Sequence, residues 1–303
     1  MKKASNLLLG VEIIVLIISA MSLVKFHNIR KTRESYAYAQ SWNYSINQVE
    51  PVYDFQNSLE ESEELNSVFN TCKEYYQYSN LTNDYPFLFW DNLNDIRIFF
   101  SDKASEIIGT TTYAAYIKSG NLIIVNTSKF NSKSLDEQKA IIIHELAHAL
   151  TVSDENFFEG GGFTEAVAED LACTVCTKNG INYDFTYPDS FCLYMLVWNI
   201  FGKTDTLKAY CEGELNNKLN DISDGFGTDL SNMLTILNHY ELYKDEISFS
   251  YSEVVYMAQD ILVHATVNKA NMELDSNHKQ YMLDTCLEGL IIKNDYFTEL
   301  LSH

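Results

Sequence analysis

The spacing of apolar residues changes several times along this chain, and each change predicts a different kind of element. Residues 7–24 are apolar with only Glu12 interrupting, the pattern of a segment that enters or crosses a bilayer. Residues 25–50 are polar and rich in Tyr and Asn, a linker pattern. From 54 to 78, Phe55, Leu59, Leu65, Phe69, Cys72 and Tyr76 form a helical stripe, with Glu60, Glu61, Glu63 and Glu64 on the wet side. Residues 80–94 hold Pro86 and several turn formers, which predicts a loop. Runs of β-branched and aromatic residues predict strands at 96–100, 113–118 and 122–126, the last two joined as a hairpin across Ser119-Gly120-Asn121.

Residues 135–150 then read as one helix, apolar nearly all round and therefore buried. Ser134 is its predicted N-cap, Glu137 completes a capping box, and Asp136 and Glu137 suit the positive end of the helix dipole. A second helix is predicted over 163–177, after the glycine-rich segment 159–162. Beyond it only helices are expected, at 191–201, 230–243, 253–267 and 274–292, with Asp224-Gly225-Phe226-Gly227 as a turn. The predicted fold class is α+β, a small antiparallel or mixed sheet with a central helix, followed by a mainly helical C-terminal half. The expected organisation is 1–24 as a signal anchor or signal peptide, 25–90 as linker and amphipathic helix, 91–178 as the sheet-bearing part, and 179–303 as a helical part.

Composition adds exclusions. Hydrophobic residues make up 46% of the 303, enough for a substantial core. The chain has 21 basic and 42 acidic residues, and the first 33 residues hold six of the basic ones and a single acid. The rest is therefore more acidic than the whole, and it would repel a phosphate backbone, so no nucleic-acid partner is expected. Lys2 and Lys3 precede the apolar run, and Ala20-Met21-Ser22 offers a weak cleavage site. Lys25, Arg30, Lys31 and Arg33 follow it and pull toward the cytoplasm. The expectation is a membrane contact through the N-terminal segment with the folded part outside the cell, or secretion. Cys72, Cys173, Cys176, Cys192, Cys211 and Cys286 do not settle the redox compartment. Cys173 and Cys176 lie within the second helix and predict packing or a local disulfide.

The candidate chemistry sits in the buried helix, in His144-Glu145-Leu146-Ala147-His148. On a helix, the two histidines are one turn apart on one face, so both imidazoles can bind one zinc ion. Glu145 lies beside them, able to take a proton from a water at the metal. A buried His, Glu and His need partners whether or not a metal is present, and a core helix with two satisfied histidines is the plain alternative. Zinc needs a third protein ligand, and Glu165 in the second helix is the best candidate. Glu169, one turn further on, is placed to hold His144 or His148 by its other ring nitrogen. The reverse assignment, with Glu169 as ligand and Glu165 as support, stays open.

His144-Glu-Leu-Ala-His148-Ala-Leu-Thr151, followed by Thr164-Glu165-Ala-Val-Ala-Glu169, resembles the gluzincin metallopeptidases, the clan of thermolysin. The resemblance implies a zincin-like catalytic domain that hydrolyses peptide bonds. It implies zinc on His144, His148 and Glu165, Glu145 as catalytic base, and Glu169 where relatives have an Asp supporting a zinc-binding His. It also implies a Tyr or His that stabilises the oxyanion, with His239, Tyr240, Tyr183, Tyr187 and Tyr194 as candidates. In such enzymes a sheet edge pairs with an extended peptide or protein substrate, and 122–126 is the strand expected to form that edge. A metzincin-like alternative places the third ligand at Asp154, without the usual glycine at Thr151. The competing class is a non-catalytic, zincin-like peptide-binding or interaction protein anchored at the membrane.

Overall fold

The computed structural model describes residues 63–101, 104–108, 112–151, 161–245, 247 and 249–302. The apolar run 7–24 and Asp154 lie outside the described residues, so the leader and the metzincin-like ligand rest on sequence alone. No helix among the described residues is long and apolar enough to cross a membrane. The described part is mostly helical, with one small mixed sheet.

In chain order, the main elements are α1 (Glu63–Tyr78), β1 (Arg97–Ser101), β2 (Ala114–Ile117), β3 (Leu122–Asn126), α2 (Leu135–Thr151) and α3 (Thr164–Lys178). They continue with α4 (Pro188–Phe201), α5 (Lys203–Cys211), α6 (Leu215–Ile222), α7 (Gly227–Asn238), α8 (Tyr251–Met272), α9 (Ser276–Glu288) and α10 (Asp295–Leu301). Helix α2 is the centre of the N-terminal part: α1, β2 and α3 all pack on it. Its Ile142, Ile143, Leu146, Ala147, Ala149 and Leu150 are buried, as the apolar pattern requires. The capping box forms: Ser134 Oγ accepts from the Glu137 N–H at 3.3 Å, and Glu137 Oε2 accepts from the Ser134 N–H at 2.8 Å. From α1, the buried Tyr76 hydroxyl donates to the Ile143 carbonyl at 2.8 Å, one residue before the first motif histidine.

The sheet has strand order β1-β3-β2. β1 and β3 are parallel with Phe99 opposite Ile124, and β2 and β3 are antiparallel with Ala115 opposite Ile124. The hairpin forms, turning through Lys118–Gly120 with Asn121 in the left-handed region at φ 44°. Strand 122–126 is not the edge, however. It lies between the other two strands, and every residue of it is buried. The physical reason is its composition: Leu122, Ile123, Ile124 and Val125 are apolar on both faces, which suits a strand covered on both sides. The edge that runs beside α2 is β2. The Asn126 N–H donates to the Tyr113 carbonyl at 2.9 Å, so Tyr113, Ala115 and Ile117 face β3, while the peptide groups of Ala114 and Tyr116 point away from it.

Residues 80–94 also depart from expectation, since they contain two short helices, Leu81–Asp84 and Trp90–Asp95. The segment is ordered by the far end of α2, whose last carbonyls have no partner within the helix. The Phe89 N–H donates to the Leu150 carbonyl at 2.9 Å, and Asn92 Nδ2 to the Ala149 carbonyl at 2.7 Å. The C-terminal part is helical as expected, with α8 packed between α4, α7, α9 and α10. The expected helix over 230–243 is broken at His239 into α7 and a short helix, Tyr240–Tyr243.

The two parts meet where the turn Gly161–Phe163 leads into α3. This turn packs on α7. The Gly162 N–H donates to Ser231 Oγ at 3.3 Å, and Asn238 Nδ2 donates to the Gly162 carbonyl at 3.2 Å. A Cβ on Gly162 would lie 1.6 Å from the Ser231 carbonyl oxygen, so no other residue fits without moving α3 off α7. Gly162→Ala is expected to lower the melting temperature by roughly 3–10 °C, the usual cost of overpacking in a chain of this size. Thermal melts followed by circular dichroism check this, and an unchanged midpoint would show that the turn is not clamped.

Candidate metal centre

His144 and His148 leave the same face of α2, with ring centroids 4.8 Å apart and planes at 81°. Their Nε2 atoms are 3.1 Å apart. Glu165 enters from the first turn of α3, where the positive end of the helix dipole favours a carboxylate. Its Oε2 lies 3.2 Å from His144 Nε2 and 3.4 Å from His148 Nε2. These three atoms form a nearly equilateral triangle. Donors at three corners of a tetrahedron around an ion with bonds of about 2.0–2.1 Å stand roughly 3.3–3.4 Å apart, so the triangle has the size a tetrahedral zinc site asks for. Among the described residues these three form the group able to hold a metal ion. Their side chains are 12%, 9% and 21% exposed, so the site is recessed yet open to solvent on the Glu165 side.

Burial works to raise the Glu165 carboxyl and is outweighed by His148 and His144, whose charges and hydrogen bonds hold it well below the usual carboxylate range. Glu145 is in the opposite condition. Burial pushes its carboxyl up to about 7; His144 pulls it down, the Glu165 charge pushes it up, and the Tyr116 N–H pulls it down. That N–H belongs to edge strand β2 and donates to Glu145 Oε2 at 2.7 Å. A carboxylate that titrates near neutrality beside a cluster of metal-binding donors is poised to exchange protons at working pH.

Glu169 is completely buried, one turn along α3 from Glu165, but it does not bond either histidine. Its Oε1 accepts from the backbone N–H groups of Thr186 and Tyr187 at 2.8 and 3.1 Å. Oε2 has no hydrogen-bond partner among the described residues. Burial raises the Glu169 carboxyl, against the pull of His144 and the two N–H groups. The residue that meets an imidazole by its other nitrogen is Tyr183, whose hydroxyl lies 2.8 Å from His144 Nδ1.

Of the other residues considered for the oxyanion, two sit in the field of Glu165. Tyr187 has its phenol raised first by the Glu165 charge, then by burial and by Glu145. His239, just past the end of α7, has its imidazole lowered by burial and raised by Glu165. The Tyr240 hydroxyl donates to the Phe249 carbonyl at 3.0 Å. Tyr194 is buried, with its phenol raised by burial and by Asp170. Sequence reasoning missed Tyr210, whose hydroxyl donates to Thr164 Oγ1 at 3.0 Å beside Glu165; no signal in the sequence marks it. Cys173 and Cys176 are free thiols, so no local disulfide forms.

No family model matches the chain, and no curated protein or solved structure matches it either. The site therefore speaks through its own geometry. The purified chain is expected to take up about one zinc ion, with affinity falling by more than roughly 100-fold in Glu165→Ala, a larger loss than removal of a residue behind a ligand causes. Metal analysis after dialysis, with chelator competition, measures both. Zinc held equally well by the variant would remove Glu165 from the ligand set.

Proposed function

We propose that this chain is a zinc-dependent peptidase of the gluzincin type, with a zincin-like catalytic domain built on β1–β3, α2 and α3. The observation that carries the reading is the triangle of His144, His148 and Glu165 donors with a separate buried carboxylate, Glu145, directly beside it. A metal site that serves only structure has no use for that second carboxylate, whose burial is costly. The small mixed sheet, with edge strand β2 running along the motif helix, further supports the zincin reading.

Zinc bound there would supply Lewis acidity, acidifying a water and polarising the substrate carbonyl. Glu145 takes the proton from the attacking water and passes it to the leaving amine. A substrate peptide lies extended along β2, where the peptide groups of Ala114 and Tyr116 point outward. Tyr187 and His239, whose titrating groups both feel the Glu165 charge, are the candidates to donate to the carbonyl oxygen as charge develops on it. The substrate is a peptide or protein rather than a nucleic acid, in keeping with the acidic surface. The N-terminal run 7–24 would anchor the enzyme at a membrane with this domain outside, or direct its secretion. A non-catalytic peptide-binding role would keep the metal and the β2 edge without needing Glu145.

Glu145→Gln separates the two. It is expected to keep about one zinc per chain while peptide hydrolysis falls by at least roughly 10²–10⁴-fold, the scale of a lost general base. Cleavage of a peptide library, read by mass spectrometry on native and variant proteins, makes the comparison. Undiminished cleavage in the variant would sink the mechanism, and zinc binding without cleavage by the native chain would favour the binding role.

A further inference from the structure

We infer that Tyr183, rather than a carboxylate, is the positioning residue that fixes the His144 imidazole for metal binding, and that Glu169 acts one step back by building the loop that carries Tyr183. This rests on the zinc reading above. The first argument is tautomeric. For His144 Nε2 to turn a lone pair toward Glu165 and His148, the ring proton must sit on Nδ1 and needs an acceptor. The Tyr183 hydroxyl, at 2.8 Å, is in position to accept it.

The second argument is how firmly that hydroxyl is held. The Tyr183 ring meets Phe185 edge-on at 5.4 Å and 89°. Phe185 stacks on Phe191 of α4 at 4.6 Å and 27°, and Phe191 meets Trp198 at 5.8 Å and 84°. This aromatic ladder fixes the ring from behind. From the other side, Glu169 Oε1 gathers the N–H groups of Thr186 and Tyr187, which closes the loop 183–187 against α3. The carboxylate expected to touch a histidine thus grips the backbone, and a phenol from the gripped loop touches the histidine instead. A phenol accepts without carrying charge, so it orients His144 without adding a second anion beside the site.

Tyr183→Phe in the full chain tests this, because it keeps the ring and its ladder and removes only the oxygen. Zinc affinity by chelator competition is expected to fall by about 10–100-fold. The visible spectrum of the cobalt-loaded form should shift, while the melting temperature of the metal-free protein should change by no more than about 2 °C. A residue important only to folding would give the reverse, a lower melting temperature with unaltered affinity and spectrum, and that result overturns the inference. Independently of any variant, nitrogen-15 spectra of the zinc-loaded native chain should show His144 protonated at Nδ1 and unprotonated at Nε2. The opposite tautomer also overturns it. If the native chain takes up neither zinc nor cobalt, the zinc reading falls along with it; if the native chain binds and Tyr183→Phe binds equally well, only the role of Tyr183 falls.

Discussion

Two imidazoles and a carboxylate converge within 3.4 Å of one another between helices whose other contacting residues are mostly apolar, and the packing around them has to satisfy that convergence first. Polar groups withdrawn from water are costly unless each finds a partner, so α2 and α3 have little freedom to slide past each other. Small apolar residues are fully buried on both helices: Ala147 on α2, and Ala166, Ala168 and Ala172 on α3. Neighbouring elements fix the two helices from outside. Tyr76 of α1 bonds the carbonyl preceding His144, residues 89 and 92 take up the last carbonyls of α2, and Gly162 presses the start of α3 against α7. Each clamp lies close to a donor of the triangle, so an error in packing is felt at the site.

Of the six carboxylates on these two helices, four are withdrawn from solvent, and environment gives each of those a separate task. Glu165 faces the imidazoles and is held ionised. Glu145 faces the backbone of β2 and is pushed up to about 7, chiefly by burial. Glu169 faces a loop backbone. Asp170, next along α3, turns elsewhere: its Oδ1 meets Lys203 Nζ at 2.6 Å, and that ammonium lies over the Trp198 ring, 4.6 Å from its centroid. Burial raises the Asp170 carboxyl and Lys203 opposes it, the balance expected of a desolvated ion pair. Lys203 is the first residue of α5, so this pair ties the start of that helix to α3. Neighbours in sequence thus serve a donor cluster, a loop and a helix junction, because successive positions on a helix face different surroundings.

The elements that local rules govern were legible in the sequence. The capping box of Ser134 and Glu137 and the apolar girth of α2 are written in consecutive residues, and the i, i+4 spacing of His144 and His148 follows from helical geometry alone. Glu165 is singled out by the need for a third donor and by the resemblance of the 144–169 stretch to the gluzincin motif, and its carboxylate does meet the two imidazoles. What depended on distant contacts was not. Strand order is set by how segments meet: the motif pattern points to β3 as the edge, whereas its unbroken apolar run suits the interior position it takes. The segment 80–94 looks like loop because its first short helix packs on α1 and its second is held by the end of α2, contacts that lie far away in sequence. The one-turn spacing from Glu165 points Glu169 to a histidine, and nothing in its own helix reveals that the backbone of Thr186 and Tyr187 returns to meet it.

The hydrogen bond from the Tyr116 N–H to Glu145 joins the two halves of the proposed chemistry. That N–H lies on the face of β2 that an added strand would use, and the carboxylate accepting it is the proposed base. A peptide pairing with β2 must therefore arrive beside Glu145 and compete with it for the same donor. Loss of that donor removes one of the influences that hold the carboxyl down, while the excluded water strengthens the burial that pushes it up. In the proposed reaction both changes would strengthen Glu145 as a proton acceptor once substrate is in place. In the proposed peptidase, recognition along the edge strand and activation of the base are thus consequences of one contact.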